Sequence, residues 1–99
     1  MAEKQVRWTS IAFNDKIEIL EYWVNRNKST TFSEKLDLLI DNALDQVKEF
    51  PDQGKITEYK NIRIKIVRSY LIYYLVENDF ITVVRIWDPK RDPKEFKLM

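Results

Sequence analysis

Residues 62–87 read IRIKIVRSYLIYYLVENDFITVVRIW and carry the strongest secondary-structure pattern in the chain. Three runs in it, Ile62–Val67, Tyr70–Val76 and Phe80–Trp87, are rich in β-branched and aromatic residues, which favour strands. Links of two and three residues separate the runs, and such short links are typical of hairpins. The second run is apolar on both faces. The stretch therefore predicts three consecutive antiparallel strands with the second in the middle of a sheet.

The first of these runs alternates apolar and cationic side chains. Ile62, Ile64 and Ile66 are expected on one face of the strand, and Arg63 and Lys65 on the other. This strand is therefore predicted to be half core and half cationic surface.

A helix is predicted upstream, over residues 11–27. Its core-facing residues are expected to be Phe13, Ile17, Leu20 and Val24, which recur at helical spacing. A neighbouring stripe of Ala12, Ile19 and Trp23 widens the apolar arc beyond what one packing partner needs. Trp23 is therefore predicted either to join the core or to meet a second partner.

A second helix is predicted from Thr30 or Thr31 to Phe50, where Pro51 disfavours helical geometry in the residue before it. Gly54, the single glycine of the chain, is expected to supply a turn. One face of this helix carries acidic residues four apart, which predicts a solvated face more simply than a metal site; these are Asp37, Asp41, Asp45 and Glu49.

Residues 5–8 alternate in the manner of an edge strand, and the tail from Pro89 onward, with two prolines and mixed charges, is expected to be irregular. The predicted fold class is α+β, in the order β-α-α-β-β-β, with an antiparallel sheet packed on one side by a helical hairpin. Residues 1–99 are expected to form a single domain, which suits a chain of this length.

The chain contains neither cysteine nor histidine, which excludes disulfides, thiolate nucleophiles, imidazole bases and Cys/His metal sites. We expect no metal and no cofactor. Residues 1–5, MAEKQ, lack a hydrophobic signal core, and no apolar run is long enough to span a bilayer, so a cytoplasmic location is expected.

Charge is divided unevenly along the chain. Residues 1–54 carry 7 Lys and Arg against 10 Asp and Glu, a net charge of −3, and residues 55–99 carry 10 against 6, a net charge of +4. The basic sheet half could attract nucleic acid or an acidic protein. The simpler alternative is that these charges only solvate the surface.

Six segments in fixed order carry a family resemblance. They are residues 17–22 (IEILEY), 50–54 (FPDQG), 62–65 (IRIK), 70–74 (YLIYY), 83–88 (VVRIWD) and 91–93 (RDP). Over residues 6–93 the chain resembles the RelE/ParE toxins of type II toxin-antitoxin systems. The resemblance implies a bacterial plasmid-stabilisation protein that inhibits growth until a cognate antitoxin wraps it.

The family divides into two chemistries. One branch cleaves messenger RNA in the ribosomal A site, and the other inhibits DNA gyrase without cutting nucleic acid. For a nuclease, the resemblance implies Arg63 and Lys65 on the first sheet strand and Lys90 or Arg91 near the C-terminus, all surrounding the scissile phosphate.

Two members of the nuclease set are missing from the sequence. Leu71, or the neighbouring Tyr70, stands where the resemblance implies an arginine, and Phe96, which cannot donate a proton, stands where it implies a tyrosine. Arg68, Tyr73 or Tyr74 could substitute in space. We therefore favour a ParE-like toxin acting on gyrase, with a ribosome-dependent endoribonuclease or an inactive relative that only binds partners as the alternatives.

Two sets of candidate site residues follow. Ile19 and Trp23 are predicted to contact the antitoxin. A basic surface is predicted to contact the target, gyrase or ribosome and messenger RNA, through Arg63, Lys65, Arg68, Arg85, Lys90 and Arg91. Alternatively, Arg85 pairs with Asp88 or Glu77.

Overall fold

The computed structural model describes residues 4–98; residues 1–3 and 99 lie outside it, and with them part of the N-terminal segment considered for a signal sequence. The elements are β1 (Gln5–Trp8), α1 (Ser10–Asn27), α2 (Thr31–Glu49), β2 (Lys55–Ile56), β3 (Ile62–Val67), β4 (Tyr70–Val76) and β5 (Phe80–Trp87). Short 3₁₀ turns lie at Pro51–Gln53 and Pro93–Glu95. No helix among residues 4–98 is long and apolar enough to cross a membrane.

The five strands form one sheet in the order β1-β5-β4-β3-β2. The predicted α+β class, the helical hairpin and the central position of β4 are confirmed. Two details differ from the prediction. The chain adds β2, whose two residues are too few to show an alternating pattern. Strand β1 pairs with β5 in parallel, so the sheet is mixed and not purely antiparallel.

Both helices pack on one face of the sheet, where they cover the main core. The face of α1 that reaches this core is only partly the predicted one: Leu20 packs there, but Phe13 is 50% exposed and Ala12 is fully buried. Ile19, Leu20 and Trp23 pack against the same core. The stripe of Ala12, Ile19 and Trp23 is therefore the inward face. Each of its residues lies one position before a residue of the predicted stripe, and a helix turns about 100° per residue. The inward face of α1 is therefore rotated by about 100° from the predicted one.

The turn after α2 is fixed by the hydroxyl of Tyr74, which is fully buried in β4. It donates a hydrogen bond to the Pro51 carbonyl at 2.9 Å and accepts one from the Gly54 amide at 3.1 Å. Gly54 has an extended backbone, with φ −73° and ψ 161°, so it does not supply the predicted turn conformation. It is needed for space, since a Cβ there would lie 2.2 Å from the Tyr74 hydroxyl.

A second, smaller core covers the outer face of the sheet, opposite the helices. The C-terminal residues expected to be irregular form it: Leu98 is buried against Ile62 and Val84, and Phe96 packs there too. The ring of Phe96 lies 4.9 Å from Tyr73 and 5.0 Å from Trp87. Residues 93–98, which we call the C-terminal strap, therefore lie across the outer face.

Strand β5 carries a bulge where its partner β1 ends. Val83 pairs with Tyr74 and Arg85 with Tyr73, which leaves Val84 as the extra residue. The ladder with β1 extends only to Val83. Beyond that point the Ile86 amide donates to the Asp15 carboxylate of α1 at 3.1 Å, so a helix side chain satisfies the strand edge.

Candidate binding cleft and basic residues

A cleft with a volume of about 470 Å³ opens beside α1. It lies between α1, the β3–β4 turn and the end of β5 with the following tail. Its lining residues are Asp15, Glu18, Ile19, Tyr22, Trp23, Arg26, Ser69, Tyr70, Ile86, Asp88, Lys90 and Arg91. We call it the α1 cleft.

The α1 cleft is lined by both acidic and basic side chains. Along α1 its lining runs from Asp15 to Arg26, a length of about 16 Å at the helical rise of 1.5 Å per residue. Glu18 lies near the first end, whereas Arg26 is in the last helical turn. The cleft therefore has the length of about three helical turns.

The floor of the α1 cleft is aromatic and apolar. The indole Nε1–H of Trp23 donates to the Tyr70 hydroxyl at 2.8 Å, and the Trp23 ring packs 4.8 Å from Phe32. Burial raises the pKa of Tyr70 above its ordinary value of 10.0, and the hydrogen bond from Trp23 partly opposes this. Ile19 and Trp23, predicted to contact the antitoxin, both line this floor.

Arg63 and Lys65 do not lie on the free cationic surface that the alternation suggests. Their strand partners, Tyr74 and Ile72, face the helices, so both cations point to the helix side. Arg63 Nη1 donates to the carbonyls of Asp52 and Gly54 at 3.0 and 2.9 Å. Arg63 therefore holds the turn after α2.

Lys65 contributes to the same turn through its side chain. Its Nζ donates to the side-chain oxygen of Gln53 at 3.0 Å. The outer face of β3 instead presents the isoleucines, of which Ile66 is 45% exposed. The face predicted to be core is therefore partly solvent-exposed.

Arg85 is also committed to a contact within the chain. Its Nε lies 2.8 Å from the Asp15 carboxylate, and the two side chains are 12% and 8% exposed. The partner is thus neither Asp88 nor Glu77, the two alternatives considered from the sequence. Glu77 instead accepts from Arg7 and Thr82. Asp15 was missed as a partner because it lies 70 residues away in the chain.

The other three cations of the predicted basic surface lie near one end of the sheet. Arg68, at the β3–β4 turn, has φ 57° and makes no ion pair within residues 4–98. Lys90 and Arg91 line the α1 cleft. Arg91 pairs with Glu95 at 3.2 Å and lies 4.7 Å above the Trp87 ring.

Arg63 and Arg91, two of the candidate nuclease residues, are not brought together. Arg63 shares a sheet rung with Tyr74, whereas Trp87, beneath Arg91, shares a rung with Leu71. Leu71 and Tyr74 are three positions apart on β4, so the two rungs lie about 10 Å from each other. Side chains three positions apart on a strand also point to opposite faces of the sheet. Tyr74, a possible substitute, is engaged by Pro51 and Gly54. For Tyr73, burial raises the pKa above its ordinary value of 10.0.

Several cleft residues were not selected from the sequence. Glu18, Tyr22 and Arg26 recur at spacings of four on α1, which places them along one side of the helix. The helical spacing could have identified them. Ser69 and Asp88 come from distant elements and carry no such pattern.

The fold is that of a chain from a solved toxin-antitoxin structure. The structure titled "Chromosomal ParDE TA system from P. aeruginosa" superposes with a TM-score of 0.72 at 18% identity, covering 85% of this chain and 94% of that chain. At this identity the likeness shows the fold alone. No curated protein matches the chain.

The family itself is shown by the sequence. The family described as "ParE toxin of type II toxin-antitoxin system, parDE" matches residues 6–93. The chain therefore belongs to the ParE toxin family, and the resemblance to RelE/ParE toxins is confirmed. The match covers most of the chain and both helices and all five strands except the first residue of β1.

Proposed function

We propose that this chain is a growth-inhibiting, plasmid-stabilising toxin that acts on DNA gyrase in the bacterial cytoplasm and does not cut RNA. The observation that carries the proposal is the separation of Arg63 from Arg91 on the sheet. Cleavage of a phosphodiester needs a base, an acid and charge stabilisation within reach of one phosphate. Here Arg63 is engaged with the carbonyls of Asp52 and Gly54, about 10 Å from the rung beside Arg91.

The target contact is proposed to use the cations of the predicted basic surface whose side chains stay exposed. Arg68, Lys90 and Arg91 are exposed near the β3–β4 turn and the tail. Arg85 is omitted because its guanidinium is buried against Asp15. Arg63 and Lys65 stay candidates only as secondary contacts, since their hydrogen-bonding groups already hold the turn.

A cognate antitoxin is proposed to bind in the α1 cleft, with Ile19 and Trp23 in the contact. A cleft about three helical turns long with an apolar floor suits an amphipathic helix with side chains at helical spacing. Arg26 and Lys90 on the rim favour acidic side chains in this partner.

The experiment that separates the functions is expression of the chain alone in a bacterial host, followed by supercoiling assays with purified gyrase. We expect growth arrest, inhibited supercoiling and intact transcripts. Cleaved transcripts with unaffected gyrase would refute the proposal and support a ribosome-dependent nuclease. Unaffected growth would point to an inactive relative that only binds partners.

A matched pair of variants tests the docking site. Trp23→Ala removes the aromatic floor of the α1 cleft, whereas Phe13→Ala removes a half-exposed aromatic residue of the same helix outside the cleft. We expect only the first to weaken neutralisation by the co-expressed antitoxin. Equal neutralisation of both folded variants would move the antitoxin contact elsewhere.

A further inference from the structure

The two faces of the sheet are joined by Arg85. Because of the bulge in β5, its guanidinium lies at the strand edge and contacts both sides. Toward the helices it donates to Asp15 through Nε at 2.8 Å and through Nη2 at 3.1 Å. Toward the outer face its Nη1 donates to the Lys97 carbonyl of the C-terminal strap. Asp15 lines the α1 cleft, so this one side chain connects the cleft to the strap.

A second connection runs through Arg91, which also lines the α1 cleft. Its guanidinium pairs with Glu95 of the strap at 3.2 Å and covers the Trp87 ring at 4.7 Å. Trp87 in turn contacts the Phe96 ring at 5.0 Å. Two residues that line the cleft are thus connected to the strap: Asp15 through Arg85, and Arg91 directly.

The strap itself is held by few apolar contacts. Phe96 packs on Tyr73 and Trp87, and Leu98 packs on Ile62 and Val84. A segment with so few anchors opens locally at a much lower free energy than the whole domain. Its docking therefore depends on the side chains that orient its backbone.

We infer that occupancy of the α1 cleft and docking of the C-terminal strap are coupled through Arg85 and Arg91. A cationic side chain of a cleft ligand would draw Asp15 from Arg85, and an anionic one would draw Arg91 from Glu95. Either exchange removes an anchor of the strap and uncovers the apolar outer face around Tyr73. By linkage, release of the strap changes ligand affinity by the same factor.

The coupling belongs to the free chain, whereas its use as a switch rests on the proposed docking of a partner in the cleft. It is therefore tested on the isolated protein, with neither gyrase nor antitoxin present. A negative result would end the inference and leave the proposed function untouched.

The first measurement is amide hydrogen exchange by NMR at Glu95 and Phe96, whose amides donate to the carbonyls of Asp92 and Pro93. Asp15→Asn removes the cleft charge and keeps an oxygen for the Ile86 amide. We expect about 10-fold faster exchange in the strap, a usual size for coupling between sites. The matched control, Asp37→Asn, breaks the ion pair with Lys16 and should stay within about 2-fold.

The second measurement runs in the reverse direction. Phe96→Ala loosens the strap, and the reporter in the cleft is the indole N–H resonance of Trp23, which donates to Tyr70. We expect this resonance to shift or broaden. Leu38→Ala, a change at an exposed position on α2, is the control and should leave it unmoved.

Arg91→Gln keeps the inference open to refutation if Asp15→Asn fails to fold, because Arg91 is half exposed and is not part of the buried pair. It should also accelerate strap exchange. Unchanged exchange in every folded cleft variant, or an unmoved Trp23 resonance in Phe96→Ala, would overturn the coupling.

Discussion

Replacing Tyr74 by Phe should lower the free energy of unfolding by about 3–5 kcal/mol, although only one oxygen atom is lost. That oxygen donates to the Pro51 carbonyl at 2.9 Å and accepts from the buried Gly54 amide at 3.1 Å. A hydrogen bond contributes about 1 kcal/mol net, and a buried group left without a partner adds a desolvation cost of about 1–3 kcal/mol. The two lost bonds and one orphaned amide give the stated range.

Urea unfolding followed by circular dichroism measures this loss. Tyr59→Phe is the matched control, since Tyr59 is 43% exposed and its hydroxyl makes no hydrogen bond within residues 4–98. It should change the free energy of unfolding by no more than about 0.5 kcal/mol. If Tyr74→Phe were as mild as its control, the turn after α2 would not be held by this hydroxyl.

The same reasoning applies to Gly54. A Cβ at this position would lie 2.2 Å from the Tyr74 hydroxyl and 2.9 Å from the Ile64 carbonyl, so Gly54→Ala should cost about 1–3 kcal/mol from overpacking and more from displaced hydrogen bonds. Combined with Tyr74→Phe the costs should add to less than their sum, because the closest oxygen is gone. Strict additivity would contradict the proposed clash.

Three further outcomes are expected. Arg63→Gln should lower the free energy of unfolding by about 1–2 kcal/mol, since two carbonyl contacts weaken, and an unchanged urea midpoint would return Arg63 to the target-binding surface. Hydrogen bonds from Thr82 and then Arg7 lower the pKa of Glu77 below its ordinary value of 4.5. The ionised Glu77 carboxylate therefore stabilises the fold above its ordinary pKa, and this stabilisation is lost as pH falls through the lowered pKa. Thr82→Val should make Tm fall less steeply as the pH is lowered. An equally steep fall in Tm for the variant and the original chain would show that the Thr82 hydrogen bond does not contribute. Arg91→Glu should relieve toxicity in a chain that circular dichroism shows to be folded, and undiminished toxicity would remove Arg91 from the site.

The order of elements could be predicted because it is encoded locally. The alternation in β3, the doubly apolar β4 and the helical spacing in α1 and α2 depend on neighbours in the chain. What failed depends on tertiary contacts. The choice between Phe13 and Ala12 as the inward residue is decided by how α1 lies on the sheet. Their two stripes point about 100° apart but are both apolar, so helical spacing alone does not choose between them.

The candidate site was harder to predict for the same reason. A strand's alternation separates Arg63 from Ile64 but does not say which side the helices cover. The partner of Arg85 is Asp15, from the first helix, and a bulge directs the side chain there. The helical spacing correctly placed Ile19 and Trp23 beside one another, but the opposite wall of the cleft comes from residues that only the fold brings near.

The parallel pairing of β1 with β5 has a consequence for how the chain folds. Gln5 pairs with Phe80 and Trp8 with Val83, so β1 cannot pair until β5 has been synthesised. Contacts this distant in sequence slow folding, because a long loop must close before they form. The helical hairpin emerges well before the sheet it covers, and its apolar face stays unpaired during that interval. A nascent chain should therefore acquire its native surfaces only after β5 has been synthesised.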